Sequence, residues 1–84
     1  MSTVTIYTKR GCSYCELAKA LLNKKGVVFD EVALDGKADA AKALFARVGR
    51  RTVPQIFIGE THVGGCDDLY ALERQNRLDA LLAP

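Results

Sequence analysis

The sequence predicts an α/β fold in which helices flank a mixed four-stranded sheet, with elements in the order β-α-β-α-β-β-α. Segments that alternate polar and apolar residues, as strands do, are interspersed with segments whose apolar residues recur at helical spacing. Glycines follow most of these segments, at points where the chain must turn. The 84 residues suffice for a single domain, 1–84, with a thin hydrophobic core.

The first half of the chain predicts a strand, a helix and a second strand. Residues Thr3–Tyr7 alternate between polar and apolar side chains and are expected to form the first strand. A helix is expected over 13–25, because four apolar residues fall on one of its faces: Leu17, Ala18, Leu21 and Leu22. It ends at Gly26 after two lysines, which suit the negative end of a helix dipole. Val27–Val32 favours a second strand.

The second half predicts a helix, a hairpin and a further helix. Lys37–Val48 carries an apolar stripe and precedes a glycine, which indicates the second helix. Gln55–Ile58 and Thr61–Val63 are separated by a Gly-Glu turn and are expected to pair as a hairpin. Asp67–Arg74 is expected to form the third helix, and a last apolar helical turn contains three leucines, Leu78, Leu81 and Leu82.

Composition and charge exclude several classes of function. The net charge is only +2, and the one dense basic spot, formed by Arg47, Arg50 and Arg51, is interpreted as a solvated helix end and loop. No stretch approaches the ~20 apolar residues of a membrane span. The N-terminus has neither the basic flank nor the apolar run of a signal peptide. We therefore expect a cytoplasmic protein that binds neither nucleic acid nor membranes.

Two of the three cysteines stand three positions apart, as Cys12 and Cys15. In a reducing compartment such a pair is either half of a metal site or a redox motif. Zinc needs four ligands, and only Cys66 and His62 are left to supply them, at an unusual spacing. The sequence therefore favours a redox pair and no metal site.

Cys12 is the predicted nucleophile because it precedes the first helix, whose N-terminus carries unpaired N–H groups and partial positive charge. Such surroundings, with Lys9 and Arg10 just upstream, lower the pKa of a cysteine and favour the reactive thiolate. Cys15 lies one turn further in and can resolve a mixed disulfide formed on Cys12. Tyr14 is expected to stand beside the sulfur as an aromatic wall.

The segment Thr52-Val53-Pro54 enters a strand, where proline is disfavoured and often marks a special turn, sometimes with a cis peptide bond. By itself, this proline could merely begin a strand. Next to a redox cysteine pair, we expect instead that the Val53 N–H and C=O face outward and pair with an extended peptide substrate.

Gly64 and Gly65 open the third helix, whose free N–H groups suit an anion. Asp67 and Asp68 there are either helix caps or ligands for an ammonium group. An α-amino acid end, which carries both charges, would satisfy the N–H groups and an aspartate together. Cys66 is interpreted as a partly buried small residue rather than a third redox thiol, and His62 as an ordinary hairpin residue.

Three segments together resemble the glutaredoxin family, and within it the short bacterial glutaredoxin 3 type. They are Tyr7-Thr8-Lys9 before the cysteine pair, the segment 52–58 and the segment 64–69, and they occur in the family's order and spacing. The resemblance covers essentially the whole chain. It implies the thioredoxin fold, a cis Pro54 and glutathione as cosubstrate.

The resemblance also implies a set of glutathione-binding residues. Lys9 and Tyr14 would approach glutathione, and Val53 would pair with its cysteinyl backbone. Its γ-glutamyl end would lie at Cys66, Asp67 and Asp68, and the remaining residues of the implied site are Thr52, Pro54 and Gly65.

Two positions depart from the family pattern. Ser13 replaces the proline that dithiol members usually have between the cysteine and the tyrosine, which makes the loop less rigid and supplies a hydroxyl. Ala41 stands where members often have a basic or amide side chain near the glycine carboxylate of glutathione, and neither Lys42 nor Arg51 is assigned that role.

The expected function is glutathione-dependent reduction of glutathionylated proteins and of protein disulfides, by a monomer. Some relatives with the motif Cys-Ser-Tyr-Cys resemble cluster carriers that hold a [2Fe–2S] centre between two subunits, with glutathione as an extra ligand. Cluster binding or delivery is therefore the main alternative. A thioredoxin-like enzyme served by a reductase is the second, against which the segment 65–68 argues.

Overall fold

The computed structural model describes residues 3–83. Met1, Ser2 and Pro84, which the predicted domain 1–84 includes, lie outside the described residues. The elements in chain order are β1 (Val4–Thr8), α1 (Ser13–Lys24), β2 (Phe29–Ala33), α2 (Ala38–Val48), β3 (Gln55–Ile58), β4 (Thr61–Gly64), α3 (Cys66–Arg74) and α4 (Leu78–Leu82). No helix within residues 3–83 is both long and apolar enough to cross a membrane.

The four strands form one mixed sheet in the order β2-β1-β3-β4. β1 pairs in parallel with β2, which is possible because α1 carries the chain back to the edge where β1 began. β1 also pairs antiparallel with β3, and β3 pairs antiparallel with β4 across the predicted hairpin. The predicted fold class and element order are confirmed.

Two hydrophobic cores cover the two faces of the sheet. On one face, Ile6 and Ile56 pack with the buried sides of α1, α3 and α4, including the fully buried Leu69. On the other face, Leu44 of α2 packs against Phe57. Because every large buried side chain removes apolar area from water, these contacts fix α1 and α3 against the same face of the sheet.

The predicted start of the second strand is wrong by two residues. β2 begins at Phe29, whereas Val27 lies just after α1 and is tied back to its last turn, since its N–H donates to the carbonyl of Leu22 at 3.0 Å. Gly26 reverses the chain with a positive φ of 72°. Val28 is 90% exposed, so although valine favours strands, its side chain here has no packing partner that would hold it in one.

Candidate active site

Cys12 and Cys15 lie at the junction between β1 and α1. They are joined as a disulfide, with their Cα atoms 5.2 Å apart. Cys12 is the N-cap residue of α1, in an extended conformation that leaves its Sγ beside the first helical turn. That Sγ accepts a hydrogen bond from the backbone N–H of Cys15 at 3.1 Å. Gly11, with a φ of 75°, makes the turn that precedes it.

The two sulfurs differ in access to solvent, as the sequence predicts. Cys12 is half-buried, whereas Cys15 is fully buried on the inner face of α1. An incoming group can therefore reach Cys12 first. The partial positive charge of the α1 N-terminus and the Cys15 N–H both stabilise a negative charge on the Cys12 sulfur.

The loop before β3 faces this sulfur. The Val53–Pro54 peptide bond is cis, as the resemblance implies, and the Val53 carbonyl oxygen lies 3.8 Å from Cys12 Sγ. Within residues 3–83, neither the N–H nor the C=O of Val53 bonds to another backbone group. Backbone groups that have no backbone partner and lie next to the sulfur can pair with an extended peptide.

A buried side-chain network, which no sequence motif indicates, supports this loop. Gln55 is fully buried, and its amide nitrogen donates to the carbonyl oxygen of Thr52 at 3.0 Å and to the Thr52 hydroxyl at 3.2 Å. With its nitrogen so engaged, the Gln55 amide oxygen accepts from His62 Nε2 at 2.7 Å. Burial, reinforced by the nearby Arg50, lowers the pKa of His62.

Replacing Gln55 with methionine should destabilise the protein. Methionine has a similar length but leaves a carbonyl of Thr52 and an N–H of His62 without their partner, so the free energy of unfolding should fall by ~1–3 kcal/mol. Urea unfolding of both proteins measures the difference. Gln75→Met, at an exposed position, is the matched control and should stay within ~0.5 kcal/mol of wild type; equal losses in the two variants would contradict the network.

The N-terminus of α3 forms the opposite wall of the site. Asp68 accepts the backbone N–H of Gly65 at 2.9 Å, so the carboxylate does serve as a cap, one of the two roles predicted for it. Gly64 has a φ of 118°, and a Cβ there would collide with the same carboxylate. Arg50, which no sequence motif indicated, pairs with Asp68 at 3.0 Å.

The pKa values of Asp68 and Cys66, both at the start of α3, shift in opposite directions. The Gly65 N–H, and then Arg50, hold the pKa of the Asp68 carboxyl below its ordinary value. Burial, and then the neighbouring Asp67, raises the pKa of the Cys66 thiol. Cys66 is only 7% exposed, so it is more deeply buried than the partly buried small residue that the sequence predicts.

Acid should destabilise the fold through Asp68. Because its pKa is lower in the folded than in the unfolded protein, its contribution is complete above the unfolded value of about 4 and is lost as the pH falls through the folded value. Asp68→Asn should therefore make the decline of unfolding free energy below about pH 5 shallower, as measured by urea unfolding across a pH series. Asp67→Asn is the control, because it removes the same formal charge but leaves the hydrogen bond of the cap in place. A decline as steep as that of wild type in Asp68→Asn would contradict the assignment.

All but one of the predicted glutathione-binding residues lie together. Tyr14, Thr52–Pro54 and Gly65–Asp68 line a single cavity of about 260 Å³ beside Cys12, together with Arg50. Lys9 instead lines a neighbouring open groove of about 930 Å³ against α2, and Arg50 borders both. Within residues 3–83, no three His, Cys, Asp or Glu side chains are placed to hold a metal ion.

Comparisons with known proteins agree on one family. The family model described as Glutaredoxin matches residues 4–63. The chain is 59% identical over 83 residues to a glutaredoxin of Pseudomonas aeruginosa, covering 99% of both chains. It is 56% identical over 82 residues to glutaredoxin 3 of Escherichia coli, covering 98% of this chain and 99% of that one.

Solved structures agree with the sequence relatives. The solution structure of a glutaredoxin from Brucella melitensis matches with a TM-score of 0.88 at 54% identity, covering 98% of this chain and 89% of that one. A crystal structure of a buckwheat glutaredoxin–glutathione complex matches with a TM-score of 0.89 at 33% identity, covering 96% of this chain and 76% of that one. The thioredoxin fold implied by the resemblance is confirmed.

Proposed function

The chain belongs to the glutaredoxin family, a family of thiol oxidoreductases, and from that premise we propose that it uses glutathione to reduce glutathionylated proteins and protein disulfides. One observation carries the proposal: the half-buried Cys12 has its Sγ 3.8 Å from the carbonyl oxygen of Val53, and Val53 lines a cavity that suits an amino acid end. The buckwheat relative, solved as a glutathione complex, supports glutathione as the ligand.

In the proposed complex the γ-glutamyl end of glutathione enters the cavity at the start of α3. Its carboxylate accepts free N–H groups there, near Cys66, and its ammonium group lies at Asp67 and Asp68. The cysteinyl backbone pairs with Val53, which holds the glutathione sulfur against Cys12. The walls of this site are Tyr14, Thr52, Pro54 and Gly65, with Lys9 at its groove side.

Reduction of a glutathionylated protein takes two thiol exchanges. The Cys12 thiolate attacks the glutathione sulfur of the mixed disulfide, that S–S bond breaks, and the protein sulfur leaves as a thiolate that takes a proton from solvent. A second glutathione thiolate then attacks the glutathione sulfur held on Cys12. Glutathione disulfide leaves, and Cys12 returns as a thiolate stabilised by the α1 N-terminus.

Protein disulfides require Cys15 as well. Cys12 attacks one sulfur of the target, and the Cys15 thiolate then attacks Cys12, releasing the reduced protein and forming the Cys12–Cys15 disulfide. The close approach of the two residues in the structure suits this intramolecular step. Two glutathione molecules reduce the pair again and leave as glutathione disulfide.

The proposed reaction also suggests the cellular compartment and the oligomeric state of the protein. Glutathione is the reductant of a reducing compartment, so we place the protein in the cytoplasm. Each step uses residues from one chain, which supports a monomer acting as the single domain 1–84.

The test is glutathione-dependent reduction of a small mixed disulfide by protein purified anaerobically. Turnover that saturates with the mixed disulfide and needs Cys12 is the expected result. Absorbance in the visible region of the same sample separates this function from the [2Fe–2S] alternative. No turnover by folded, reduced protein would contradict the proposal.

A further inference from the structure

The groove next to the glutathione cavity is the larger of the two, at about 930 Å³ against about 260 Å³. It is lined by residues of α2, by the segment 49–51 and by Lys9. Arg50 borders both the groove and the cavity, so the two are continuous past that side chain. The groove thus extends the proposed glutathione site toward α2.

Positive charge is concentrated in this groove. Its lining contains Lys9, Lys42, Arg50 and Arg51 and no acidic residue, although the whole chain carries 12 basic and 10 acidic side chains. Arg50 pairs with Asp68, outside the groove. Within residues 3–83, the other three cations take part in none of the ion pairs, so their charges are uncompensated at close range.

The floor of the groove is apolar. Ala41 and Phe45 of α2 form it, and the Lys9 ammonium lies 5.8 Å from the centre of the Phe45 ring. Phe45 is half-buried, so one side of its ring is available to a further apolar group. A ligand that carries carboxylates on either side of an apolar side chain would match both the charge and the floor.

The proposed mechanism determines which part of a substrate reaches this groove. The γ-glutamyl end lies at α3 and the cysteine at Val53, so the chain that follows the cysteine leaves on the side of Lys9 and α2. Glutathione has a single glycine there. A protein disulfide that occupies the same site has many more residues to accommodate, and the groove offers them room.

We propose that the groove binds the segment following the reacting cysteine of a protein disulfide and selects acidic segments that contain an apolar side chain. This inference rests on the function proposed above. Carboxylates of the segment pair with Lys42 and Arg51, and the apolar side chain packs on Phe45. Basic segments are rejected, because Lys42 and Arg51 repel their positive charges. Attraction to the cations also speeds encounter, most strongly at low salt.

The test compares disulfide-linked homodimers of short peptides, each with one cysteine. In one peptide Asp-Leu-Glu follows the cysteine, in a second Asn-Leu-Gln follows it, and in a third Asp-Leu-Glu precedes it. With glutathione as reductant, kcat/KM for the first peptide should exceed the other two by about tenfold at low ionic strength. Added salt should reduce that preference.

Reversing the charge of two groove residues tests whether the groove causes the preference for the first peptide. Lys42→Glu with Arg51→Glu should remove the difference in kcat/KM between the first and second peptides. Because the glycine carboxylate of glutathione also lies on this side, the readout is the ratio of the two peptides measured with the same protein at one glutathione concentration. Lys24→Glu with Arg74→Glu makes the same charge change at the ends of α1 and α3 remote from the site, and should keep the preference.

Three outcomes would overturn the inference. They are equal kcat/KM values for the three peptides, a preference for the first peptide that survives charge reversal at Lys42 and Arg51, and a preference that is lost equally on charge reversal at Lys24 and Arg74. Each of these is read as a ratio between peptides measured with the same protein at the same glutathione concentration. Loss of glutathione-driven turnover with every substrate in the unchanged protein would instead contradict the proposed function.

Discussion

Replacing Cys12 with serine should abolish glutathione-dependent reduction of both glutathionylated proteins and protein disulfides, lowering kcat/KM by at least about a thousandfold. A serine hydroxyl does not ionise near neutral pH, so the helix N-terminus that stabilises a thiolate has no anion to act on. Steady-state turnover with a small mixed disulfide and with a disulfide-bonded protein measures both losses.

The fold of the Cys12→Ser protein is the necessary control. Cys12 is half-buried and a serine side chain is also a good N-cap, so the reduced variant should unfold at the same urea concentration as the reduced wild type. Full turnover in a folded Cys12→Ser protein would show that another residue is the nucleophile.

Replacing Cys15 with serine should separate the two reactions. Deglutathionylation needs only Cys12 and an incoming glutathione, so its rate should stay within about threefold of wild type. Reduction of protein disulfides loses its intramolecular resolving thiol and should fall by about a hundredfold or more, because a thiol held in position has a high effective concentration. Parallel assays with the two substrate types provide the measurement.

Cys15 is fully buried, so its replacement also affects stability, and the variant must be compared at a temperature where it is folded. Loss of both reactions in folded Cys15→Ser protein would contradict the division of labour between the two cysteines. Retention of both would mean that glutathione resolves every mixed disulfide formed on Cys12.

Elements with strong local signals could be predicted closely from the sequence. The hairpin strand Gln55–Ile58 has the predicted bounds, since a run of apolar residues ends at a glycine turn. Cys12 and Cys15 lie at the start of α1 as expected, because the strand, the turn and the helix are all marked locally. The cavity residues gather beside them because the three motifs lie at one end of the sheet, after β1, before β3 and after β4.

Contacts between distant side chains could not be predicted. Arg50 pairs with Asp68 across 18 positions of sequence, and nothing local distinguishes Arg50 from the neighbouring basic residues. Gln55 resembles an ordinary strand residue until its buried amide is seen between Thr52 and His62. Arg50 and Arg51 are exposed, in agreement with the interpretation of a solvated loop, but no local pattern shows that the fold places Lys9 and Lys42 around the same groove.

The central claim is that the Cys12 thiolate takes glutathione onto itself, and trapping that intermediate tests it most directly. Reduced Cys15→Ser protein would be incubated with glutathione disulfide and mapped by mass spectrometry of its peptides. We expect one glutathionyl group on Cys12, released by added glutathione. A stable adduct on Cys66, or no adduct on folded protein, would contradict the claim.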